Sequence, residues 1–147
     1  MLKGPLKPRL KQLCSTGKCF YRCEHDHSLT AWRLSGDYNP LHADPEAGKK
    51  MGFGGVITHG LHCWNSTAVL LLRLLGGSNP SNIKEFAARF ASPVRPGDTL
   101  VVQAWRTGEL DKDGWEDIRF VTSVKGGKVC LGNGRAKMKC VGGKSKI

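Results

Sequence analysis

The chain has 147 residues, room for one domain of ordinary size with its own core and too few for a second. Its longest aliphatic run, Ala68 to Leu72, falls far short of the roughly 20 residues a membrane span requires, and the cations Lys3, Lys7, Arg9 and Lys11 have no apolar segment behind them. Neither a membrane protein nor an exported one is expected. The formal net charge of +11 points to an anionic partner, but the basic residues are scattered, without interleaved aromatics or a recognisable motif. That makes nucleic acid the weaker expectation and leaves two readings, a small polyanion such as the nucleotide end of coenzyme A or, more commonly, solvated lysines with no partner, between which charge alone does not decide.

Six cysteines, Cys14, Cys19, Cys23, Cys63, Cys130 and Cys140, sit in a chain with no export signal and read as reduced thiols. They contain no Cys-x-x-Cys, and Cys19 and Cys23 with the nearby His25 and His27 match no standard zinc spacing, so no metal is expected.

Residues 1–18, with two prolines, two glycines and many cations, read as a basic arm. The domain proper is placed at 19–142 and a short tail at 143–147. "LSGDYNPLHADPEAG", Leu34 to Gly48, follows the arm and is too interrupted for a regular helix. Within six residues it sets Asp37, Asn39, Pro40 and His42. Residues five apart on an α-helix point about 140° away from each other, so Asp37 and His42 need a turn to meet. Asn39 before Pro40 supplies one, and Asp44 before Pro45 reads as an N-cap and first helical residue. A carboxylate and an imidazole on such a proline-pinned loop can converge on one small molecule, most simply water.

Leu61, Trp64, Ala68, Leu71, Leu72 and Leu75 then recur at helical spacing, stopped by Gly76 and Gly77. Because the second half is apolar nearly all round, this helix is expected to be buried at the centre of the fold. From Phe86 onward the period is two: Ile118, Phe120, Thr122 and Val124 alternate with Asp117, Arg119 and Ser123. "DKDG" at Asp111 and "KGGK" at Lys125 read as hairpin turns. The apolar parity shifts between Val129 and Leu131 on one side and Ala136, Met138 and Cys140 on the other, which predicts a bulge at Gly132 to Gly134. The expected class is α+β, an antiparallel sheet packed on one long buried helix.

"LSGDYNPLHADP", Leu34 to Pro45, resembles the signature of the (R)-specific enoyl-CoA hydratases, or MaoC-like hydratases. "GFGGVITHGL", Gly52 to Leu61, is similar to that family's run into its central helix, and "FASPVRPGDTL", Phe90 to Leu100, to its strand entry. The resemblance covers roughly residues 28–140. It implies the hot-dog fold, a sheet wrapped around a long helix, and reversible addition of water to a 2-enoyl thioester, with coenzyme A or an acyl carrier as part of the substrate and no cofactor. Asp37 and His42 would hold and activate the water, and the backbone N–H of Gly60 would receive charge on the thioester oxygen. Asn39 would orient the loop or the water, and His59 would stand beside the substrate as a packing or hydrogen-bonding neighbour.

Specialised biosynthetic dehydratases share this pattern. Hot-dog thioesterases, many of which carry a carboxylate on the central helix, are a weaker reading because Leu61 to Leu75 holds no Asp or Glu. A non-catalytic acyl-CoA-binding module is a further alternative. A short single-unit form of this family implies a two-fold homodimer. Ser145, Lys146 and Ile147 resemble a peroxisomal C-terminal signal, with the cytoplasm as the address otherwise.

Overall fold

The computed structural model of the chain describes residues 18–22 (backbone), 34 and 36–141. The basic arm up to Gly17, the side chains of Cys14, Cys19, Cys23, His25 and His27, and the tail bearing Ser145, Lys146 and Ile147 lie outside the described residues. Strand β1 runs Lys18–Arg22, and two short helical pieces follow, a 3-10 turn at Pro40–His42 and helix α1 at Pro45–Lys50. Helix α2 spans Gly60–Leu75, and β2 (Ile83–Phe90), β3 (Thr99–Leu110), β4 (Glu116–Val124) and β5 (Val129–Met138) complete the domain. The strands form one antiparallel sheet in the order β1-β3-β4-β5-β2.

Both proposed hairpin turns form. Gly114 and Gly126 take positive φ, and the Asp111 carboxylate accepts from the N–H groups of Asp113 and Trp115. The inward face of β4 carries Ile118, Phe120 and Thr122, as the alternation predicts. Ile118 and Phe120 pack with Leu70 and Leu71 of α2, Val102 of β3, and Ala136 and Met138 of β5 to make the main core. Leu100, Val94, Cys63, Cys130 and Leu131 make a second cluster nearer the start of α2.

The bulge in β5 falls where the parity shift places it. Phe120 pairs with Gly134 and Thr122 with Leu131, so three steps on β5 oppose two on β4. Gly134 is required there, since a Cβ would lie 2.4 Å from the Phe120 ring and from its carbonyl oxygen. Val129 departs from the expected pattern. A second register shift, between Thr122 and Ser123, turns it outward and leaves Cys130 and Leu131 both buried.

The central helix also departs from expectation. It buries Cys63, Thr67, Leu70 and Leu71 against the sheet, but the stripe of Leu61, Asn65, Val69 and Arg73, spaced every four residues, is exposed. Leu61 and Val69 keep 44% and 43% of their surface open to solvent. A single sheet covers only one side of a helix that is apolar nearly all round. Among the described residues no helix is long and apolar enough to cross a membrane.

Candidate active site

The Asn-Pro turn forms as its chemistry predicts. Asn39 caps the 3-10 turn, its Oδ1 accepting the Leu41 N–H at 3.0 Å, and its own N–H donates to Asp37 Oδ1 at 3.0 Å. Asp44 caps α1 in the same way, accepting the Glu46 N–H at 2.9 Å. This double turn swings His42 back toward the segment that precedes α2. There its Nδ1 lies 3.0 Å from the carbonyl oxygen of Ile57. A carbonyl only accepts, so Nδ1 carries the proton and the neutral ring keeps its lone pair on Nε2.

His59 sits at the N-cap of α2, and its Nδ1 accepts the Leu61 N–H at 3.1 Å. A backbone N–H only donates, so the neutral His59 ring carries its proton on Nε2. That nitrogen is 2.6 Å from Asp37 Oδ2. Asp37 is therefore held from both sides, by Asn39 on Oδ1 and by His59 on Oδ2. The Asn39 N–H is the main influence that keeps its carboxyl below the ordinary 3.8, partly opposed by burial and assisted by the neighbouring His59 and His42. The His42 and His59 rings stand 4.7 Å apart, centre to centre.

One donor atom from each of Asp37, His42 and His59 lies within 4.8 Å of the other two, a spacing that also suits a metal ion. The proton inventory fits a metal poorly. His59 Nε2 spends its proton on Asp37, and freeing it for ligation costs either that bond or the cap on Leu61. The arrangement suits an oriented carboxylate beside a basic imidazole.

A cavity of about 270 Å³ opens next to this group, with His42, Gly60, Cys63, Phe90, Val94 and Leu131 in its wall. Asp37 stands outside that wall, alongside His42 and tied to His59. Gly60 is the first residue of α2, so its N–H is one of the free amides at the helix's positive end. Phe90 lies over it, and a Cβ at position 60 would come within 2.9 Å of the ring. No larger residue fits without displacing Phe90.

Every site residue expected from the sequence is thus within one neighbourhood. Asn39 is engaged with the backbone and with Asp37. His59 is engaged with Asp37 and with the helix terminus, as a positioning residue. The far wall of the cavity has no counterpart among the residues expected from the sequence. The sequence of the loop Ala91 to Val94 suggests only an approach to a strand, whereas the loop lines the cavity and is clamped to the pre-helix segment by Thr58 N–H donating to Val94 O at 2.7 Å. Arg95 adds a second tie, from its guanidinium to Phe53 O at 3.0 Å. The pairing of these two segments is long-range and leaves no local period.

A model of the MaoC-like domain matches residues 22–128. Curated relatives include a probable dehydratase of Ajellomyces capsulatus, 44% identical over 121 residues, which are 77% of this chain and 32% of the relative. They also include a peroxisomal enoyl-CoA hydratase 2 of Arabidopsis thaliana, 40% identical over 90 residues, 61% of this chain and 29% of the relative. Among solved structures, a MaoC-like dehydratase from Phytophthora capsici is similar with a TM-score of 0.76 at 29% identity, over 96% of this chain and 48% of its own. The chain spans about a third of the length of these two curated relatives. The sheet packed on one central helix is the hot-dog fold of these neighbours.

Proposed function

Because the chain belongs to the MaoC-like family, we propose that it is a hydro-lyase that adds water reversibly to a trans-2-enoyl thioester to give the (R)-3-hydroxyacyl thioester. The observation that carries this reading is the proton arrangement at the site. Asp37 is a carboxylate fixed on both oxygens, and His42 commits its Nδ1 to Ile57 O and so leaves Nε2 to exchange a proton, in the wall of the cavity that also holds Gly60. A water held between Asp37 and His42 gives its oxygen to the β-carbon, and the proton it sheds returns through the same pair to the α-carbon. The Gly60 N–H, aided by the dipole of α2, takes up the charge that builds on the thioester oxygen. Water in excess drives hydration, and removal of the enoyl product drives the reverse.

The 44% identity to a relative named as a probable dehydratase favours the reverse direction, in a specialised biosynthetic route, as the second reading. The residues and their tasks are then unchanged. The test is loss of the enoyl-thioester absorbance on mixing purified protein with crotonyl-CoA and longer trans-2-enoyl-CoAs, with chiral analysis of the product. Turnover to the (R)-alcohol is the expected result. Formation of free coenzyme A with the double bond intact would instead support a thioesterase.

A homodimer belongs to the same proposal. The exposed stripe of Leu61 and Val69 on α2 and the half-exposed Phe90 at the end of edge strand β2 are apolar surfaces that a second copy would cover. Light scattering after gel filtration should give twice the chain mass, and Val69→Lys should shift it toward the single mass. A monomer at micromolar concentration would refute the dimer.

A further inference from the structure

Two thiols in the wall of the cavity have no task in the reaction above. Cys63, in the first turn of α2, and Cys130, the second residue of β5, are 3% and 2% exposed and both face the cavity. Neither is in a disulfide. They are within hydrogen-bonding distance of each other, and the Cys130 S–H donates to Thr122 O at 3.3 Å. The proton order in this part of the core follows from these contacts. Thr67 Oγ1 donates to Cys63 O at 2.8 Å, which leaves Thr122 Oγ1 to donate to Thr67 Oγ1 at 3.0 Å. The Cys130 proton is taken by Thr122 O, so the S–H between the two sulfurs comes from Cys63. Buried polar groups of α2, β4 and β5 are joined here at the base of an otherwise apolar pocket.

We propose that Cys63 and Cys130 are a peroxide-sensitive dithiol, oxidised to an intramolecular disulfide that closes the cavity beside Gly60. Hydrogen peroxide is little larger than water and enters by the cavity both sulfurs line. The S–H of Cys63 stabilises a thiolate on Cys130 and holds that thiol below its usual range, which makes Cys130 the attacking sulfur. Its thiolate takes one peroxide oxygen, the O–O bond breaks, and the departing hydroxide is protonated to water. The resulting sulfenic acid is attacked by the Cys63 sulfur, the S–O bond breaks, and a second water leaves as the S–S bond forms. Two thiols lose two electrons and two protons, and one peroxide becomes two waters. The sulfurs must close from hydrogen-bonding contact to the roughly 2.0 Å of a disulfide, which draws the first turn of α2 toward β5. Gly60 is three residues from Cys63 on that turn, so its N–H shifts and the pocket narrows.

The effect on turnover rests on the hydratase reading, but the oxidation does not, and the experiment separates them. Full-length protein is treated with dilute hydrogen peroxide, and thiol titration, peptide mass mapping and enoyl-CoA turnover are followed together. The expected result is a single linked species of the Cys63 and Cys130 peptides, lighter by two hydrogens than their sum. It should form in step with loss of turnover, and both should reverse with dithiothreitol. Cys130→Ser should lose the linked species, and where that variant folds poorly, diamide in place of peroxide on the native chain reads the same link. A sulfinic acid at either position with no linked peptide overturns the proposal, as does full turnover in the linked protein. Absence of turnover before treatment refutes the hydratase reading while leaving the mass measurement decisive for the dithiol.

Discussion

Asp37→Asn should lose roughly 10²- to 10⁴-fold of the hydration rate, the range that a positioned acid-base group contributes, with KM nearly unchanged and the protein folded. The substitution keeps shape almost intact. Asn Oδ1 can still accept the Asn39 N–H now held by Asp37 Oδ1. The other position becomes an NH₂ facing His59 Nε2, which already carries a proton committed by the Leu61 cap. Two donors then face each other, and the pair must either separate or exchange the His59 tautomer at the expense of the cap. A modest fall in melting temperature is therefore expected beside the large fall in kcat. The carboxylate is the active form, and its proton affinity is held below the ordinary aspartate value of 3.8 by the Asn39 N–H first. As pH falls, the Asp37 contribution to rate should persist until the pH drops below the ordinary aspartate value. Wild-type turnover by Asp37→Asn would remove Asp37 from the mechanism.

His59 separates two kinds of contribution in this site. His59→Gln retains a donor for Asp37 but forfeits the ring nitrogen that caps α2, so its defect should be smaller than that of Asp37→Asn.

Local chemistry made much of this legible in the sequence. Asn39-Pro40 and Asp44-Pro45 predict their own turns because each side chain closes on a backbone N–H two residues ahead. The period of 3.6 places α2, and the parity shift in β5 places its bulge. Contacts between distant segments left no such trace. Thr58 meets Val94, and Cys63 meets Cys130, only after the sheet has assembled, so the cavity wall had no pattern to read. The apolar character of α2 gave its burial correctly on one side and wrongly on the other, because hydrophobicity names a surface to be covered without naming what covers it. Glu116 was the most deceptive residue. It sits one step beyond the recognised alternation Asp117 to Ser123, yet it occupies the inward face and is 1% exposed.

Arg106→Leu should destabilise the fold by about 3–5 kcal/mol at neutral pH, the cost of leaving a buried charge without its partner. Arg106 grips Glu116 with two groups, Nε at 3.1 and 2.9 Å from the two carboxylate oxygens and Nη2 at 2.6 Å from Oε2, and the Gly108 N–H adds a bond at 2.9 Å. The cluster closes the irregularity of β3, where four steps from Arg106 to Leu110 oppose two on β4. The thiol of Cys140 beside it is pushed up to about 11 by burial and stays protonated. Burial by itself raises the Glu116 carboxyl, and Arg106 with Gly108 more than offsets it, so the carboxyl lies below its ordinary 4.5. In the native protein this group contributes stability that is present above the unfolded value and lost as pH falls through the folded one. Without Arg106 the burial effect prevails, the folded value rises above the unfolded one, and the sign reverses: the variant loses stability as pH climbs past about 4. Urea unfolding at pH 4 and pH 7 should therefore show the gap between native and variant widening toward neutrality. Arg106→Leu combined with Glu116→Leu removes the orphaned charge and should recover much of the loss. A small and pH-independent effect of Arg106→Leu would mean that Glu116 finds water or another partner, and that the ion pair does not hold the β3–β4 end of the sheet.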